Sequence, residues 1–118
     1  MPPVRVFHCD DSSAFRILVR EMLTDLGGID LVGEASSLDE AVSALPTAHA
    51  DVVLVDLFAQ DREHELLATL RKAAPGARML IYTGMPDGSV PDGAEGHVHK
   101  SAPFEELHRV ITEVAAGP

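Results

Sequence analysis

Five side chains in this sequence could do chemistry together, and each stands where an apolar run stops. Asp10 and Asp11 follow VRVFHC, Asp56 follows VVLV, Thr83 follows MLIY, and Lys100 follows HVH. Adjacent carboxylates repel, by ~4 kcal/mol at a 4 Å separation and an effective dielectric of 20. A pair kept at the end of a buried strand therefore needs a counter-charge, and a hard divalent cation is the natural one. An all-oxygen ligand set points to Mg²⁺ rather than zinc. Asp56 is then a candidate nucleophile, since Mg²⁺ and Lys100 would both favour its ionised form. Phosphoryl transfer asks for a positioned attacking oxygen and for cations on the equatorial oxygens. The Thr83 hydroxyl could meet a phosphoryl oxygen only after transfer, and would then distinguish two states of the protein.

Each of these residues also has a plainer account. Asp11, Ser12 or Ser13 could cap a helix, Asp56 could be an ordinary strand-end acid, Thr83 a β-former and Lys100 a solvated surface charge. Their joint placement at successive strand ends is what favours chemistry. His97 and His99 share one strand face as a possible metal pair, but no third ligand is evident.

The elements that would position them can be read from periodicity. Residues 4–9 form a short buried strand. Phe15, Leu18, Val19, Met22, Leu23 and Leu26 then recur at helical steps until Gly27-Gly28. Residues 29–35 predict a second strand. Ser37-Leu-Asp-Glu40 is a capping box that opens a helix expected to stop at Pro46. Residues 51–56, Asp51-Val-Val-Leu-Val-Asp56, carry an unbroken valine-rich apolar run, as in a strand covered on both faces. Leu66, Leu67, Leu70 and Ala74 mark a third helix, residues 79–82 a fourth strand, 97–99 a fifth, and Leu107, Val110, Ile111 and Val114 a last helix. Regular alternation with short connections implies right-handed crossovers and a parallel sheet between two helical layers. Ligands bind such sheets beyond the carboxyl ends of the strands. A flavodoxin-like order of 2-1-3-4-5 brings all five residues to one edge.

Bulk properties narrow the class. A chain of 118 residues with 46% hydrophobic content can bury one core without staples, which predicts a single domain spanning residues 1–118. The formal charge of −10 argues against direct binding of nucleic acid, which needs a basic face. No apolar run approaches the ~20 residues that span a bilayer, and the opening Met-Pro-Pro-Val-Arg is no signal peptide. The single cysteine, Cys9, cannot form an internal disulfide and fits a reducing cytoplasm, where it would serve as a small buried hydrophobe.

With these residues in place, the whole chain resembles the receiver domain of bacterial two-component response regulators, the CheY-like family. The elements that carry the likeness are Asp10-Asp11, Asp56 after VVLV, Thr83 after MLIY, and Lys100 opening KSAPFEEL. VGEASS and the tail KSAPFEELHRVITEVAAG look most like receivers of NarL/LuxR-type regulators. The resemblance implies a flavodoxin-like, doubly wound five-stranded parallel sheet. It implies that Asp56 accepts phosphoryl from the phosphohistidine of a sensor histidine kinase. Asp10, Asp11, Asp56 and the Phe58 backbone carbonyl would hold Mg²⁺, while Thr83 and Lys100 read the phosphoryl group. Such a protein is a signalling switch that catalyses only its own phosphorylation and dephosphorylation. Its output would pass to a partner or a DNA-binding domain not in this chain, with dimerisation left open.

Three features depart from the family pattern. FAQDRE replaces the usual Met-Pro-Gly-type loop after Asp56, His97 takes the aromatic switch position, and the span from Thr83 to Lys100 is short. That span reads GMPDGSVPDGAEG, with four glycines and two prolines, so the helix between strands four and five is expected to be shortened or missing. Phe58 and Met85, two beyond Asp56 and Thr83, are bulky and apolar; they would shield an acyl phosphate from water and prolong its life. Two rivals remain in view. One is a pseudo-receiver controlled by partner binding rather than phosphorylation. The other is an independent enzyme such as a phosphatase, for which no acid-base residue is evident.

Overall fold

Strands and helices alternate along the chain in the computed structural model, which describes residues 2–56, 63–84 and 93–117. The strands are β1 (Val4–Cys9), β2 (Ile29–Ala35), β3 (Val52–Val55), β4 (Arg78–Thr83) and β5 (Gly96–His99). All pair in parallel, in the order β2-β1-β3-β4-β5. The helices among the described residues are α1 (Ser13–Leu26), α2 (Leu38–Ala48), α3 (Glu63–Ala73) and α4 (Phe104–Ala116).

The period of two along each strand sends side chains alternately into two cores. Val53 and Val55 of β3 join Ala41 and Leu45 of α2 and Leu66 and Leu70 of α3. Val52 and Leu54 join Val19 and Leu23 of α1 and Leu107 and Ile111 of α4. This is why the β3 run reads as unbroken apolar sequence: neither face meets water.

The helix starts follow the sequence closely. Ser12 caps α1, its side chain accepting from the Phe15 amide at 3.3 Å, and Gly27 ends the helix with a positive φ of 77°. Ser37 caps α2 by accepting from Glu40 N, and the Glu40 carboxylate reaches back to accept from the amide of Ser36 at 2.9 Å. The expected stop at Pro46 is overturned. α2 runs through Pro46 to Ala48 and ends at His49 in the left-handed region. Proline removes one i→i−4 bond and crowds the turn before it, yet the last turn of α2 continues for two residues beyond it.

β1 and β2 slip register between Val6 and Phe7, whose partners are Leu31 and Gly33. The Phe7 ring approaches the Gly33 backbone closely there. A Cβ at Gly33 would lie 2.6 Å from the ring of Phe7, which is itself 1% exposed and cannot swing outward. No helix lies between β4 and β5 among the described residues. Residues 85–92, where the expected irregular stretch chiefly falls, lie outside them. What is described of this connection is tied down. The Glu95 carboxylate accepts from the Met79 amide at 2.6 Å and pairs with Arg71 of α3 at 3.0 Å, while Arg71 also donates to the Gly93 carbonyl.

Two outcomes follow from this packing. Gly33→Ala should cost about 1–3 kcal/mol by overpacking, read as a fall in the urea midpoint at unchanged slope. Burial opposes ionisation of Glu95, but Arg71 and the Met79 amide outweigh it and hold its pKa below the ordinary 4.5. A depressed acid stabilises fully above its unfolded value and loses that contribution as pH falls through its folded one. Glu95→Gln should therefore lower stability at pH 7 by about 1 kcal/mol, and the gap from wild type should close as pH falls below the ordinary carboxylate value, as followed by thermal melts across pH.

Candidate functional site

The carboxyl ends of β1 and β3 lie side by side, and the acids emerge from them. The Asp10 amide donates to the Ala35 carbonyl at 3.0 Å and the Asp56 amide to the Cys9 carbonyl at 2.9 Å, so both backbones are extensions of the sheet ladder. Asp10 is fully buried, Asp56 half-buried and Asp11 exposed. One ligand oxygen from each of Asp10, Asp11 and Asp56 falls in a group whose members all lie within 4.8 Å of one another. Among the described residues this is the one cluster of three or more His, Cys, Asp or Glu able to hold a metal ion. Its donors are hard oxygens at the rim of a sheet, and Ser12, not Asp11, caps α1. The set suits Mg²⁺ or a similar hard cation.

Lys100 reaches in from the end of β5. Its Nζ lies 2.9 Å from Asp10 Oδ2 and 3.3 Å from Asp56 Oδ2, with the side chain 12% exposed. The Lys100 amide also donates to the Thr83 carbonyl at 2.9 Å, which brings the ends of β4 and β5 to the same edge. Thr83 is buried there, paired in register with His99. The structure thus groups Asp10, Asp11, Asp56 and Lys100 by direct distance and Thr83 by strand position. Phe58, expected to offer its carbonyl, and Met85 lie outside the described residues.

The electrostatics follow from this packing. Burial pushes the Asp10 carboxyl up, yet His8, Lys100 and the Ser12 amide prevail and hold it down at about 2. Asp10 is accordingly ionised at neutral pH. Burial and the charge of Asp10 push the Cys9 thiol up to about 12, which makes it the inert small hydrophobe expected of it. His99 is not a ready metal ligand. Its Nδ1 lies 2.7 Å from Ser101 Oγ and accepts from the Ser101 amide at 3.0 Å, and its Nε2 lies 3.1 Å from the Gly84 carbonyl. That bond fastens β5 to the residue following Thr83.

Four contacts escaped the sequence reading. Arg16 Nη1 donates to the Asp10 carbonyl at 2.6 Å. His8, fully buried, places Nε2 3.5 Å from Asp10 Oδ2. The Phe15 ring centroid sits 4.2 Å from Lys100 Nζ, and Tyr82, also fully buried, stands 6.0 Å away. Only His8 left a signal, as a histidine inside an otherwise apolar strand. Phe15 and Tyr82 read simply as core.

No helix among the described residues is long and apolar enough to cross a membrane. A family model described as the response regulator receiver domain matches residues 6–112. The chain is 37% identical to the DNA-binding transcriptional activator DevR/DosR of Mycobacterium tuberculosis, over 97% of this chain and 55% of that protein. It is 28% identical to response regulator UvrY of Escherichia coli, over 97% of this chain and 55% of that one. The chain spans about half the length of these curated relatives. Among solved structures, the NarL receiver domain of M. tuberculosis superposes with a TM-score of 0.87 at 24% identity over the full length of both chains. A LuxR-family two-component response regulator from Aurantimonas sp. gives 0.84 at 27% identity, over 98% of this chain and 86% of that one. The sheet order, the family match over nine-tenths of the chain and the NarL/LuxR-type relatives agree, and the chain belongs to the receiver-domain family of two-component response regulators.

Proposed function

We propose that this receiver is switched by phosphorylation of Asp56, with a sensor histidine kinase as donor and Mg²⁺ held by Asp10, Asp11, Asp56 and the Phe58 carbonyl. The observation that carries this reading is the convergence of three carboxylates within 4.8 Å, with the Lys100 ammonium 3.3 Å from Asp56. An Asp56 oxygen attacks phosphorus, the new O–P bond forms as the phosphohistidine P–N bond breaks, and the freed imidazole nitrogen keeps its electron pair and takes up a proton. The bound cation supplies positive charge against the transferring phosphoryl oxygens. Lys100 supplies a second positive charge from the other strand edge, and Asp10, held ionised, keeps Lys100 in place. The Thr83 hydroxyl then meets the phosphoryl group, and its movement draws on β4 and β5.

Residues 1–118 constitute one receiver unit in this reading, acting in the cytoplasm. Output passes to a partner protein or to a DNA-binding domain outside these residues, because a chain of formal charge −10 does not itself suit DNA. It is a switch rather than a metabolic enzyme.

Incubation with acetyl phosphate and Mg²⁺ followed by intact mass should show one added phosphoryl group. Asp56→Asn should abolish it, EDTA should prevent it, and Asp11→Asn should weaken Mg²⁺ binding by about tenfold or more, as loss of one charged ligand does. Wild-type labelling of Asp56→Asn would move the acceptor elsewhere. A folded wild type that takes no label would favour control by partner binding instead.

A further inference from the structure

We propose that Phe15 and Tyr82 are positioning residues for Lys100: their rings form an aromatic corner that seats the ammonium beside Asp56. The proposal deepens the reading of Asp56 as acceptor, and it rests on side chains that lie outside the set of acids, hydroxyl and lysine.

Lysine is a flexible point charge whose four-carbon stem carries about 2 kcal/mol of rotamer entropy. Two carboxylates pull Lys100 Nζ, and the nearer is Asp10 at 2.9 Å, not Asp56 at 3.3 Å. The two ion pairs hold the ammonium from the β1 and β3 side only. An ammonium has three N–H donors and no acceptor, so two oxygens do not exhaust it. The Phe15 ring supplies the further partner. Its centroid is 4.2 Å from Nζ, well inside the ~6 Å range over which a ring face attracts a cation. Tyr82 stands at the edge of that range, 6.0 Å away.

The two rings also fix each other. They meet edge to face, with centroids 6.1 Å apart and planes at 77°, the arrangement that ring quadrupoles favour. Tyr82 is fully buried on β4, so its packed ring sets the pose of Phe15, which α1 presents as a half-buried residue. Burial and the charge of Asp10 push the Tyr82 phenol up to about 12, and it therefore adds no charge beside the lysine. His8 closes the corner from β1, its ring 6.4 Å from that of Tyr82. With the stem enclosed and one side of the ammonium against a ring, Lys100 is already near Asp56 before any phosphoryl group arrives.

Leucine separates this role from simple core filling, since it keeps an apolar side chain but has no quadrupole. The chain contains only two lysines, Lys72 and Lys100, so selective ¹³C-lysine labelling gives two Cε–Hε signals, assigned with Lys72→Arg. In wild type the Lys100 Hε signal should lie upfield of that of Lys72 through the Phe15 ring current. Phe15→Leu should remove the upfield shift and weaken binding of beryllofluoride with Mg²⁺ by about tenfold, and Phe15→Tyr should restore both. A wild-type Lys100 signal with no ring-current shift would overturn the seat, as would a Phe15→Leu variant with wild-type beryllofluoride affinity. An upfield Lys100 in a wild type that binds no beryllofluoride would support the seat and refute the acceptor reading instead.

Discussion

The arrangement depends on like charges that the fold forces together. With ligand oxygens within 4.8 Å of one another, each pair of ionised acids repels by ~3–4 kcal/mol at an effective dielectric of 20. Three such pairs rival the whole stability of a small domain, about 5–15 kcal/mol. Lys100 is the counter-charge the chain itself provides, and it touches Asp10 and Asp56 at once. Asp10 is the member that could least afford to be alone, because it is fully buried. Its carboxyl accepts from the Ser12 amide at 2.9 Å and is flanked by Lys100 and His8. The exposed Asp11 has water to solvate it. Burial thus divides the acids: Asp10 is a fixed ionised anchor, and Asp11 and Asp56 face what enters from solvent.

The sheet order is what makes that concentration of charge possible. β1 and β3 are hydrogen-bonded neighbours, so acids one residue beyond Cys9 and Val55 must lie close together. β4 and β5 follow on the same side, and parallel pairing puts every strand's carboxyl end at one edge. An antiparallel neighbour would have carried Lys100 to the far edge. The two cores hold this geometry rigidly, since β3 and β4 are buried on both faces. This floor fixes Thr83, at the end of β4, and Lys100, just beyond β5, at one edge of the sheet.

Much of this was legible because it is written in periodicity and in strand ends. The change from period two to helical steps at Ser12, the capping residues and the valine-rich run before Asp56 each announce an element without reference to the rest of the chain. Asp10, Asp11, Asp56 and Lys100 were legible for the same reason: each ends a run, and order along the chain maps to order across the sheet. Pro46 was misread because a proline removes one i→i−4 bond and crowds the turn before it without always ending the helix, and periodicity does not reveal whether the last turn continues. Phe15 and Tyr82 were read as core because apolar residues at helical or strand spacing look alike whatever they touch. Their contact with Lys100 joins α1, β4 and the end of β5, and only the folded chain brings these together. Gly33 was opaque likewise, since its need for a bare backbone comes from a ring on the neighbouring strand.

The connection between β4 and β5 carries the main departure from the family pattern, and its two described ends are held by different chemistry. At the Thr83 end, His99 reaches across to the Gly84 carbonyl while Ser101 satisfies its other nitrogen. At the β5 end, Arg71 and Glu95 clamp the chain against α3 and the Met79 amide. The first tie lies next to the hydroxyl and the lysine at the site; the second lies at the opposite end of β4 and is an ion pair. The His99–Gly84 bond thus lies one residue from both Thr83 and Lys100, whereas the Arg71–Glu95 clamp lies far from them. His97, exposed on the same strand where the family carries an aromatic side chain, stands between these two anchors. Of the two ties the Arg71–Glu95 ion pair is the stronger, since hydrogen bonds between charged partners are roughly twice as strong as others.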